Sequence, residues 1–168
     1  MKAFFENPDA LLRLTAAVRR WAGTPFFPHG TTPGLGGGCS CQTLVAGVYR
    51  DAGFLPEDFF APTGNLDLGR ERMEKALAGY VERGWLAEVW ASGQRDWTEP
   101  LPGDLLLFAI GRRGHLGVVS RTGYFLHILR HTAAGERRVD DPTYFSRIIG
   151  VWRPASQGNE RQGNGENT

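Results

Sequence analysis

The stretch GGGCSCQTLVAGVY, residues 36–49, passes from a glycine run into an apolar segment with two cysteines, Cys39 and Cys41, at the junction. Counted from Cys41, residues Leu44, Val45, Val48 and Tyr49 fall at i+3, i+4, i+7 and i+8. That spacing predicts an amphipathic helix with Cys41 on its inward face, in the first turn. There the unpaired backbone N–H groups and the positive end of the helix dipole favour the thiolate, the form in which a cysteine is nucleophilic. Cys39 precedes the periodic segment and carries no such constraint. A bridge between residues two apart strains disulfide geometry, so both cysteines are expected to be thiols.

The elements around this segment follow from the same kind of pattern. Upstream, Asn7 as a cap, Pro8 in the first turn and Leu11, Leu14, Val18 and Trp21 at helical spacing predict a helix closed by Gly23. Residues 24–38, rich in Gly and Pro, are expected to be loop. The cysteine helix is expected to end near Gly53, and residues 54–66 read as a second loop. Asp67, Met73, Leu77 and Tyr80 predict a third helix stopped by Gly84. Trp85, Trp90 and Trp97 follow in a poorly periodic region and are expected to fill core and hairpins.

After EPLPGD the texture changes to short strand-like runs: LLLFAI at 105–110, HLGVVS at 115–120, YFLHILR at 124–130, ERRVD at 136–140 and RIIGVWR at 147–153. Helices first and a meander afterwards predict an α+β domain with an antiparallel sheet of about five strands, not an alternating βαβ fold. With 168 residues and 41% hydrophobic content the chain is expected to form one domain over 1–154, with 155–168 as a disordered polar tail. A formal charge of +1 with dispersed basic residues gives no footprint for nucleic acid. No apolar run approaches the roughly 20 residues that span a bilayer, and no signal-peptide pattern is found, so synthesis in the cytoplasm is expected.

A thiolate nucleophile needs a base, normally a histidine held by a third group. His115 opens one strand and His127 lies twelve residues on, within the next. A hairpin loop over Arg121, Thr122 and Gly123 would pair Ser120 with Tyr124 and Gly117 with His127, which sets both histidines on one face as diagonal neighbours. Cys41, His115 and His127 are thus the catalytic candidates, with His115 as base and His127 fixing its orientation. Gly114 and Gly117 are expected to keep a cleft open beside the base. A rival is a metal site of Cys39, Cys41, His115 and His127, since C-x-C with two histidines can satisfy a tetrahedral ion. The catalytic reading requires no metal and no other cofactor.

Five segments in order, WAGTPF at 21–26, SCQTLVAGVY at 40–49, PGDLLLF at 102–108, HLGVV at 115–119 and FLHI at 125–128, resemble the NlpC family of papain-like cysteine peptidases. The resemblance covers most of the chain and implies a papain-like fold, with the cysteine helix packed on a C-terminal antiparallel sheet. It implies hydrolysis of an amide bond in bacterial cell-wall stem peptides, of the D-glutamyl–diamino acid type. The family's nucleophile, base and third member fall on Cys41, His115 and His127. Ser40 stands where the family usually has Asp, Gln42 and Thr43 replace Ser-Gly, and Phe26 replaces a Tyr that serves the oxyanion site. Phe26, His29 and Ser40 are therefore the candidate substrate-binding residues. The segment GCSC is similar to the phage-tail-associated branch, which implies phage or phage-like tail components as partners and delivery to the cell wall with such a particle. The departures leave two alternatives: a degenerate domain that binds cell-wall peptides or serves in a tail, or a related amidase or acyltransferase.

Overall fold

A computed structural model describes residues 2–59 and 69–156. Asp67, with the rest of the segment 60–68, and residues 157–168 of the expected tail lie outside the described residues. After a 3-10 turn at Phe4–Glu6, helix α1 spans Pro8–Trp21, a two-strand ladder pairs β1 (Thr31–Thr32) with β2 (Gly38–Cys39), and helices α2 (Cys41–Asp51) and α3 (Arg70–Glu82) follow. Strands β3 (Leu86–Ala91), β4 (Leu105–Ile110), β5 (Arg113–Arg121), β6 (Tyr124–His127) and β7 (Gly135–Arg138), the short helix α4 (Pro142–Phe145) and strand β8 (Ile148–Pro154) complete the order. The main sheet is antiparallel, in the order β3-β8-β4-β5-β6-β7.

The helices form for the reasons the sequence suggests. The Asn7 carboxamide oxygen accepts from the N–H of Asp9 at 2.9 Å and of Ala10 at 3.3 Å, with Pro8 in the first turn. The buried stripe of α1 is Ala10, Leu14, Ala17, Val18 and Trp21. Leu11, expected on that stripe, is 37% exposed, because Ala10 takes the inward position one residue earlier. Helix α1 lies close on α2 at Gly47, where an added Cβ would sit 2.1 Å from the Trp21 ring. The Trp21 indole N–H donates to Asp51 at 2.9 Å, tying the end of one helix to the end of the other.

The sheet carries one strand more than the five expected, β3 on the edge against β8. A register shift between Glu88 and Trp90 breaks the alternation that would have marked it in the sequence. The glycine-rich stretch 24–38 is not all loop, since Thr31 pairs with Cys39 and Thr32 with Gly38. The start of the expected tail is also ordered: Ala155 is buried and bridges Ala3, and the Ser156 N–H donates to the Lys2 carbonyl at 2.9 Å. The tryptophans pack as edge pieces, Trp85 stacked on Tyr80 and Trp90 edge-on to Trp97.

The P-G-D turn before β4 is a clamp. Gly103 has φ +90°, and a Cβ there would collide with the Phe5 ring. Its carbonyl accepts from the Tyr49 hydroxyl at 2.8 Å. The buried Asp104 carboxylate receives Arg153 Nε at 2.9 Å and Nη2 at 2.7 Å, a bidentate pair that joins β4 to β8. One turn thus holds α2, the N-terminal 3-10 turn and the sheet in a fixed relation.

Candidate active site

Helix α2 starts at the cysteine because of what flanks it. Ser40 is the N-cap: its hydroxyl accepts from the Thr43 N–H at 3.4 Å, and the Thr43 hydroxyl accepts from the Ser40 N–H at 2.8 Å. This capping box leaves Cys41 as the first helical residue. The hydroxyl of Ser40 is spent on the backbone, which gives this residue a local structural role in addition to its place on the cleft. Serine and aspartate are comparably good caps, so an Asp at this position would keep the same helix start.

Strand β5 faces that helix start. Phe108 pairs with His115 and Val118 with Leu126, and continuing the second register sets Gly117 opposite His127. The turn is tighter than expected. Arg121 pairs with Tyr124 across Thr122 and Gly123, and the additional residue is absorbed as a shift between Val119 and Arg121, so Ser120 does not face Tyr124. The two adjustments cancel along the ladder, and the histidines meet as parity requires. His115 Nε2 and His127 Nδ1 are 2.9 Å apart, both rings buried. Tyr144 and Phe125 stand around His127 with ring centroids at 5.0 Å, and Phe108 lies at 5.8 Å from His115.

Cys41 and His115 line one cleft of about 290 Å³, with Phe26, Ser40, Gln42, Arg113, Ile128 and Arg130 among the other residues around it. His127 stands behind His115. His29 is exposed on the 26–38 loop and is not among the cleft's described lining residues. Cys39 is fully buried in β2, with its carbonyl accepting from Phe27 N–H and its own N–H donating to Pro25. Among the described residues no group of three or more His, Cys, Asp or Glu side chains is placed to hold a metal ion. Gly114 and Gly117 do not hold space open. Met73 occupies the room beside Gly114 and Phe125 that beside Gly117, so these glycines permit close packing on β5.

Burial dominates the protonation of the site. It raises the Cys41 thiol above its usual value, against the backbone N–H groups of Leu116, Gln42 and Cys41, which favour the thiolate. Cys39 is pushed up to about 12 by burial and by the charge of Cys41. Burial, then repulsion by His127, lowers His115 to about 3, and burial, then Arg137, lowers His127 to about 4. At neutral pH the resting site is therefore a neutral thiol beside two neutral imidazoles. Since one ring nitrogen of His115 is engaged with His127, the other, Nδ1, remains to take the thiol proton. That requires Nε2–H of His115 to donate to Nδ1 of His127.

The arginines of the cleft are a feature that sequence pattern does not mark. Arg113 opens β5 and Arg130 lies in the turn that follows β6, and no periodicity distinguishes such a cleft residue from any other exposed cation.

No protein-family profile and no curated protein matches the chain. Solved structures do. A Staphylococcus aureus protein described as similar to a lipoprotein of the NLP/P60 family superposes with a TM-score of 0.57 at 15% identity, covering 90% of this chain and 43% of its own. NlpC1 from Trichomonas vaginalis gives 0.55 at 15% identity, covering 90% and 45%. The fold is papain-like α+β. The chain spans less than half the length of either structure, and at this identity the likeness carries the papain-like architecture alone.

Proposed function

We propose that this chain is a cysteine peptidase that hydrolyses an amide bond of bacterial cell-wall stem peptides. The observation that carries the reading is the junction itself: a thiol in the first turn of α2, in one cleft with a buried histidine whose Nε2 lies 2.9 Å from a second histidine. Cys41 Sγ attacks the amide carbonyl carbon while its proton passes to His115 Nδ1, and the charge on His115 is stabilised through His127. The N–H groups of Cys41 and Gln42 at the helix start are suited to the tetrahedral oxyanion. His115 returns the proton to the departing amine nitrogen, leaving a thioester. Water then adds to the thioester, giving a proton to His115, and the carboxylic acid leaves as Cys41 is reprotonated.

The resemblance of the five ordered segments favours stem peptides over other amides, and the fold adds support. A phage-tail setting rests on the GCSC segment. Among the described residues no helix is long and apolar enough to cross a membrane.

The test is incubation of purified protein with muropeptides, following new amine ends by mass spectrometry. Cleavage is expected in the wild type and in Cys39→Ala, and none in Cys41→Ala. A folded wild type that leaves every muropeptide intact would transfer the reading to a binding domain or to another amide.

A further inference from the structure

The end of β5 away from the cysteine carries a second concave surface. A cavity of about 390 Å³, larger than the cysteine cleft, lies where the β5–β6 turn, the end of β7 and α4 meet, with Trp97 in its wall. Its volume falls within the range of small-molecule sites, about 300–1,000 Å³. At about 3.3 Å per residue, the run from His115 to Thr122 sets it roughly 23 Å from the cleft.

Its lining is of two kinds. Trp97 is held edge-on by Trp90 at 5.0 Å and by Phe145 at 5.1 Å, both at 71°, so the plane of its ring is fixed before a ligand arrives. Phe145 is 43% exposed, an aromatic surface left to water. Beside these rings stand charged groups that compensate one another. Arg138 Nε and Nη2 donate to the two oxygens of Asp140 at 2.7 and 2.6 Å. Glu99 adds a second carboxylate, and the Arg121 guanidinium lies 3.5 Å over the ring of Tyr124.

A fixed aromatic plane beside carboxylate and guanidinium groups suits one class of ligand. A pyranose ring has an apolar face of C–H bonds that lies flat on an aromatic ring. Around its rim are hydroxyls, each able to donate to a carboxylate and to accept from a guanidinium. An anion would meet Asp140 and Glu99, and a cation would meet Arg138 and the Arg121 that covers Tyr124. A neutral polyhydroxyl ring meets no such repulsion.

We propose that this cavity is a carbohydrate site, which seats a sugar ring of the glycan strand from which stem peptides hang. The proposal rests on the proposed function for the identity of the polymer, and on the lining for the class of ligand. A site remote from Cys41 holds the protein on a polymeric substrate while successive stems enter the cleft. It raises the effective concentration of stems and leaves the chemical step unchanged.

The probe is the tetramer of N-acetylglucosamine, titrated into the full chain, with binding read from the tryptophan indole N–H signals in proton–nitrogen NMR spectra. Saturable binding with a dissociation constant of about 1 mM or below is expected, with the largest shift at Trp97. Trp97→Ala is expected to weaken it about tenfold, and so is Asp140→Asn, a change at an exposed pair that leaves the fold intact. Cys41→Ala should bind as the wild type does. No saturable binding by the wild type overturns the site and leaves the peptidase reading standing. Binding that both cavity variants retain also overturns it, since the sugar then sits elsewhere. A free stem tripeptide that displaces the tetramer overturns it too, because the cavity would then be a peptide site. Saturable binding lost in the cavity variants, together with a wild type that cleaves no muropeptide, keeps the sugar site and removes the peptidase reading.

Discussion

In the proposed mechanism His127 acts through another side chain. It bonds to His115 Nε2 at 2.9 Å, and the packed rings of Tyr144 and Phe125 fix its plane. His127→Ala is expected to lower kcat about a hundredfold, the scale of a misplaced catalytic group, with KM little changed. His127→Asn, which can still accept from His115, should recover part of the loss, a split that steady-state kinetics on a cleaved muropeptide reads directly. The juxtaposition of Cys41, His115 and His127 was legible because two periodicities converge on it. The 3.6-residue period of Leu44, Val45 and Val48 orients Cys41, and the period of two along the β5–β6 hairpin brings the histidines to one face. The helix places Cys41 on the cleft wall, partly exposed, and a sequence does not show how much of that wall is open. Nor does any period distinguish Arg113, at the start of β5, and Arg130, in the turn after β6, as cleft residues.

Among the elements, α2 is the one on which the proposed chemistry depends, and its start is set by Ser40 and Thr43. Removing the cap with Ser40→Ala is expected to cost about 1 kcal/mol, while Ser40→Asp should stay within a few tenths of the wild type. Urea unfolding of the three proteins checks both. The capping box explains how Thr43 fits a position where the resembling motif carries glycine: its hydroxyl closes the reciprocal bond to the Ser40 N–H. Helices α1 and α2 could be read because caps and stripes agree. Strand β3 could not, since Leu86 to Ala91 form an edge strand whose residues are mostly half-buried, and its register shift disrupts alternation. The tight turn before Tyr124 escaped for the same reason, a bulge being invisible to a count of residues.

At the scale of the whole molecule, the two buried histidines make folding sensitive to acid. Both are lowered from the usual value, to about 3 and about 4, so between those values and roughly 6.5 the unfolded chain binds protons that the folded chain refuses. Stability is therefore full above pH 6.5 and falls as the pH drops, by about 1.4 kcal/mol per histidine for each pH unit inside that window. Thermal unfolding at pH 7.5, 6.0 and 5.0 should show a falling Tm, and a His115→Gln, His127→Asn double variant should show a flatter profile. The order of helices before meander predicted the α+β class. The closing contacts between Ala3 and Ala155, and the clamp from Asp104 to Arg153, are long-range pairings that local patterns do not contain.

The claim on which the function rests is that His115 is the base for Cys41, and the rate of Cys41 acylation by p-nitrophenyl acetate from pH 4 to 9 tests it, in the wild type and His115→Ala. With His115 lowered to about 3 and the thiol raised, the wild type should react through the neutral pair and hold a plateau from about pH 5 through neutrality. The variant should lose about 10² to 10⁴ in rate at pH 7 and rise only as the isolated thiol ionises. Superimposable profiles for the two proteins would contradict the account, because Cys41 would then react as an isolated thiol with no histidine behind it.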